Sequence, residues 1–162
     1  MNSIAVVGIG NSLLKDDGVG VHVLENFASD NPYTDVICLD AGTVGLALMD
    51  HLSNLDGLIA VDAMRLKKKP GSITVLQGTD MDSHLRNHHG SVHELGLSDL
   101  MDALRLCDDL PPKRALIGIE PDDIEWGTQP TDDVAAAIPL ASTRIRELIV
   151  DWRQQTATGA AA

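Results

Sequence analysis

Residues 3–28 read SIAVVGIGNSLLKDDGVGVHVLENFA, and a change of period inside this stretch decides the fold. Residues 3–8 (SIAVVG) are a β-branched run ending in glycine, the pattern of a short buried strand. Over residues 17–28 the apolar positions Val21, Leu24, Phe27 and Ala28 recur at helical spacing, which predicts a helix. Only a glycine-rich turn lies between them. Strand, tight loop and helix in that order open an α/β sheet.

The pattern continues outward. Residues 35–39 (DVICL) predict a second strand, and residues 44–55 a second helix with Leu48, Leu52 and Leu55 on one face. Residues 57–61 (GLIAV) predict a third strand that ends at Asp62. The next strand candidate, residues 72–77 (SITVLQ), follows after only ten residues. A parallel crossover with its own helix needs about a dozen or more, so the fourth strand should run antiparallel to the third. Residues 79–92 are polar and rich in histidine and read as a long loop, followed by a helix over 94–107 with Leu97, Leu100, Met101 and Leu104 inward. Residues 113–119 (KRALIGI) give a fifth strand after Pro111 and Pro112. A last helix, capped by Thr131 or Asp132, should run to about Gln155, with Pro139 kinking it or marking its true start.

At 162 residues the chain fits one domain, expected over 1–155, with a frayed tail at 156–162 that has no large apolar residue to anchor it. Aromatic residues make up 2% of the chain against 44% hydrophobic overall, so Leu, Val, Ile and Ala must fill the interior. The formal charge of -12 repels a phosphate backbone and argues against nucleic acid as a partner. The first residues carry no basic region and no apolar run long enough for a signal or a membrane span, so a cytoplasmic protein without membrane insertion is expected. A small acidic chain is expected to be a monomer. Cys38 and Cys107 lack metal or redox spacing and read as two buried free thiols.

The chemistry-bearing residues gather where strands end. Gly8, Gly10 and Asn11 resemble the start of a dinucleotide fingerprint, but Leu13 stands where its third glycine belongs, and Asp16 and Asp17 would face a bound phosphate with like charge. One of these aspartates suffices to cap the helix; the other is free to face the crevice at the carboxyl end of the first strand. Asp40 and Asp62 reach the same edge. His84, His88, His89 and His93 crowd one segment; Gly90 and Ser91 argue against one continuous helix, and Leu97 excludes HExxH at His93. Most of these histidines should be solvated, with His93 fixed by the apolar helix that follows. Carboxylates with an imidazole make an O/N set suited to a borderline divalent ion, nickel or zinc.

Four segments, GIGNSLLKDDGVG (8–20), LDAGTVG (39–45), LIAVDAM (58–64) and SVHELGLSDLM (91–101), resemble in this order and spacing the nickel-iron hydrogenase maturation endopeptidases. The likeness runs from Ile4 to about Ile119. It implies a three-layer α/β/α sandwich on a five-stranded mixed sheet, phosphorylase/hydrolase-like, in agreement with the antiparallel fourth strand. It also implies an aspartic-type endopeptidase that trims the C-terminus of the nickel-loaded precursor of a hydrogenase large subunit. By position, the residues that meet a divalent ion and carry catalysis fall on Asp17, Asp62 and His93. The resemblance implies nickel supplied by the substrate and no permanently bound cofactor. Asp40 is the candidate general base, since an aspartate beside the ion suits a ligand better than a base. Ala41 stands where the family's D-G-G-T segment has its first glycine, and Gly42 keeps a permissive backbone beside it. Two rival readings are a small-molecule metallohydrolase on the same fold and a non-catalytic nickel-dependent chaperone of the large subunit.

Overall fold

Every residue of the strand Ile4–Ile9 (β1) is buried, and its side chains divide between two cores: Ile4 and Val6 on one side, Ala5, Val7 and Ile9 on the other. A strand apolar on both faces belongs in the middle of a covered sheet. The computed structural model, which describes residues 3–42, 46–87 and 91–159, places β1 there. The other strands are β2 (Val36–Gly42), β3 (Gly57–Ala63), β4 (Ile73–Gln77) and β5 (Lys113–Ile119). They lie in the order β2-β1-β3-β5-β4, with β4 antiparallel to β5 and every other neighbour parallel. The short connection after β3 thus produces the antiparallel strand that its length predicts.

Two helices cover one face: α1 (Val19–Ser29), through Val19, Val23 and Phe27, and α5 (Asp132–Gly159), through Val134, Ile145 and Ile149. The opposite face is covered by α2 (Met49–Leu52), α3 (Thr79–Asn87) and α4 (Val92–Leu106), which contribute Leu52, Met81, Leu85, Leu97 and Leu104. The result is the expected α/β/α sandwich. No helix among the described residues is long and apolar enough to cross a membrane.

Several local expectations need correction. The predicted loop over 79–92 contains α3: Met81 and Leu85, one turn apart, are buried, while acidic residues lie in its first turn and basic ones in its last, as the helix dipole favours. Of the helix predicted over 44–55, residues 44 and 45 lie outside the described residues, and the rest forms a 3-10 turn, Leu46–Leu48, and the single turn of α2, which ends because Ser53 is extended and Asn54 takes φ +59. Cys107 is exposed just past α4, and Cys38 is half-buried, its thiol pushed up by that burial. The last helix starts at Asp132 with Pro139 inside it on an exposed face. It continues past Gln155 to Gly159, because the Lys113 ammonium binds the Trp152 carbonyl and the Thr156 hydroxyl and so holds the last turns. Residues 160–162 of the expected tail lie outside the described residues.

Candidate active site

The loop after β1 must reverse within a few residues and bring a carboxylate back over the strand end. Gly10 makes this possible with φ +136, and a Cβ added there would lie 2.0 Å from the Asp17 carbonyl oxygen. The chain then forms a 3-10 turn, Lys15–Gly18, before α1. Gly20 lets that helix lie directly on the sheet, since a Cβ would meet the carbonyls of Val61 and Ile9 at 2.2 and 2.3 Å. Asp17, at the head of this packing, accepts the Asn11 N–H at 3.0 Å through Oδ2.

The Asp16 side chain does not cap α1, contrary to the sequence reading. It is fully buried and accepts the Asp122, Asp123 and Thr131 N–H groups and the Thr131 hydroxyl at 2.7–3.0 Å. Lys15 pairs with Asp123, and Lys15 N–H donates to Gly127 at 2.8 Å. The loop carrying Asp17 is thereby joined to the loop between β5 and α5.

His93 is the second residue of α4. Ser91 caps this helix by accepting the Glu94 N–H at 3.1 Å, and the Ser-x-x-Glu spacing at 91–94 is a start signal the sequence reading missed. The cap turns His93 toward the β1 loop, where its Nε2 lies 2.9 Å from Asp17 Oδ2. Asp62 is the penultimate residue of β3 and only 2% exposed. Its Oδ1 and the His93 Nδ1 are buried without a hydrogen-bond partner among the described residues.

The electrostatics follow from this packing. Burial opposes ionisation of Asp17, but the His93 hydrogen bond, the Asn11 N–H and the charges of His93 and Arg65 outweigh it and hold its carboxyl below the usual range. The hydrogen bond to Asp17 raises His93 above the ordinary imidazole value, against its own burial. Burial pushes Asp62 well above the carboxylate range; the nearby His93 pulls the other way, and Asp17 and Glu94 add to the rise. The rim therefore combines an imidazolium–carboxylate pair with a buried acid that resists losing its proton.

Three of the four singled-out residues, Asp17, Asp62 and His93, thus form one electrostatic group at the carboxyl ends of the parallel strands. Asp40 stands apart from it: the residue is exposed and its Oδ1 accepts the Gly42 N–H at 2.8 Å. Positive φ in this segment falls on Gly42, at +51, so Ala41 takes the family's first glycine position without strain. His84 is buried beside Glu94 at 3.4 Å rather than solvated, and His88 and His89 lie outside the described residues. Among the described residues no group of three His, Cys, Asp or Glu side chains is arranged to hold a metal ion by itself. The Asp17–His93 hydrogen bond occupies two of the candidate donor atoms. Glu94, buried and facing the same cavity as Asp17, was not foreseen.

An open, mostly parallel sheet with its titratable groups on the carboxyl-end rim places this chain among the α/β enzymes. The sequence profile described as hydrogenase maturation protease matches residues 21–148, a span that includes Asp62 and His93. The Hydrogenase 2 maturation protease of Escherichia coli is 35% identical over 144 residues, covering 88% of this chain and 87% of that protein. The hydrogenase expression/formation protein HupD of Bradyrhizobium diazoefficiens is 34% identical, over 93% and 80% of the two chains. Among solved structures, the hydrogenase maturating endopeptidase HybD from Escherichia coli superposes with a TM-score of 0.82 at 33% identity over 88% of each chain. HybD from Thermococcus kodakarensis gives 0.79 at 26% identity, over 90% and 97%. The chain belongs to the hydrogenase maturation protease family, and it is a peptidase.

Proposed function

We propose that this peptidase removes a C-terminal peptide from the nickel-loaded precursor of a nickel-iron hydrogenase large subunit, and that it reads the substrate's own nickel. The observation that carries this reading is the pairing of Asp17 with His93 beside a buried Asp62 whose Oδ1 has no partner among the described residues. Two carboxylates and an imidazole suit a borderline divalent ion that arrives with part of its coordination already filled. To reach it, His93 Nε2 must leave Asp17 and Asp62 must release its proton, so engagement of the ion expels protons and favours higher pH. Anchoring the metal at the rim holds the scissile bond in place and makes cleavage conditional on metallation. Asp40, exposed and outside the ion's immediate ring, is the general base. The reaction takes place in the cytoplasm, with the protein acting as a monomer whose rim stays open to a large partner.

The test is incubation with nickel-loaded and nickel-free precursor and measurement of the product mass. Loss of a C-terminal peptide from the loaded form alone is the expected result. Binding without cleavage would favour a chaperone, and turnover of a small molecule with neither precursor cut would favour the metallohydrolase. Asp40→Asn should bind the loaded precursor as wild type does and fail to cut it; full activity in that variant would remove Asp40 from the mechanism.

A further inference from the structure

Two cavities open at the Asp17–His93 pair and share no lining residue. One is a shallow depression of about 10 Å³ that contains His93 and is otherwise apolar, lined by Val7, Ile9, Leu48, Leu97 and Leu100. The other, of about 100 Å³, contains Asp17 together with Arg65, Ser91, Glu94 and Ile124. A peptide laid over the pair meets an apolar surface on one flank and a polar one on the other.

Arg65 distinguishes the polar side. Its backbone is fixed from both directions: the Met64 N–H donates to the Ile119 carbonyl at 2.9 Å, and the Leu66 N–H donates to the buried Glu120 Oε2 at 2.7 Å. The Met64 side chain is buried over Gly118. The guanidinium itself is exposed and makes no ion pair or hydrogen bond with any described residue. The nearby carboxylates are already engaged, Asp17 with His93 and Glu94 with His84. A guanidinium offers five N–H donors in a fork that matches a carboxylate. On a chain of net charge -12, an acidic side chain is repelled by most of the surface and accepted here.

We propose that the substrate chain lies across the Asp17–His93 pair with an apolar side chain against the first cavity and a carboxylate held by Arg65 in the second. Arg65 is then a specificity-determining residue that sets the register of the cut. This inference rests on the peptidase reading above. The experiment measures cleavage of nickel-loaded precursor, at varied concentration, by wild type, Arg65→Gln and Arg65→Lys. Each enzyme is also given precursors in which Asp and Glu within about six residues of the cut, a reach of roughly 20 Å, become Asn and Gln on the released side, the retained side or both. Arg65→Gln should raise KM about tenfold with kcat within about twofold, a loss typical of one charge-assisted contact, and Arg65→Lys should fall between. One neutralised precursor should raise the wild-type KM by the same factor and leave nothing further for Arg65→Gln to lose, which identifies the flank that supplies the carboxylate. An unchanged KM for Arg65→Gln on native precursor would overturn the proposal, as would an equal penalty on the precursor neutralised on both sides. A wild type that cuts no loaded precursor would instead remove the functional reading and this inference with it.

Discussion

The seam around Asp16 and the rim around Asp62 each bury an aspartate almost completely, at 0% and 2% exposure. At the seam the carboxylate accepts three backbone N–H groups and a hydroxyl, so the cost of burial is offset on both oxygens. At the rim, among the described residues, one oxygen of Asp62 has no partner, and an imidazole nitrogen nearby has none either. The seam is closed by its own hydrogen bonds, and the rim keeps acceptor capacity that the proposed reading assigns to the substrate's ion. Burial alone does not distinguish these two aspartates; hydrogen-bond satisfaction does.

The largest test of this contrast is Asp16→Ala. It removes the buried acceptor of three partly buried N–H groups and a hydroxyl and should cost about 3 kcal/mol, read as a lower urea midpoint. Asp62→Asn should act in the opposite sense. The folded state holds the Asp62 proton more tightly than the unfolded chain does, so stability falls as pH rises from the ordinary carboxylate value toward the raised one and stays diminished above it. Removing that ionisation should stabilise the protein at neutral pH by about 1 kcal/mol while abolishing precursor cleavage. Equal or lower stability would mean that Asp62 is not held against its proton.

The smallest expected effect concerns the Asp17–His93 pair, about 0.5 kcal/mol between partly buried groups. Asp17 lies below its ordinary value in the fold, so its contribution is present above the usual carboxylate range and disappears as pH falls through the lowered one. His93 lies above its ordinary value, so its contribution is present below the usual imidazole range and disappears as pH rises through the raised one. Stability of wild type minus that of Asp17→Asn, followed across pH, should form a plateau that declines at both ends. A flat difference would show that the pair is not ionic.

Much of the fold is legible in the chain, but the contrast between these two aspartates is not. The apolar run ending at Gly8, the ten-residue link after the third strand and the helical period after Asp17 fix sheet, strand direction and first helix from local patterns. Strand ends alone bring an aspartate of the first loop, Asp40 and Asp62 to one edge, because parallel strands end together; the family resemblance singles out Asp17 and adds His93. What could not be read depends on partners distant in sequence. Asp16 looked like a cap because its acceptors' partners, Asp122 to Thr131, lie more than a hundred positions away. The helix α3 was hidden because only Met81 and Leu85 mark its inner face, and the pairing of His84 with Glu94 could not be foreseen while that stretch was read as loop. Asp40 was grouped with the rim by its strand end, but it turns back onto its own backbone.

The stitch made by Asp16, Lys15 and the Leu14–Gly127 bridge makes two remote stretches of chain a single inherited part. A shuffled enzyme that takes residues 11–18 from one relative and residues 121–131 from another would receive mismatched halves of one clasp. Transplanting either stretch between such proteases therefore requires moving both together, whereas the bend after β3 that carries Arg65, tied in mainly through Leu66 and Gly71, can be exchanged separately.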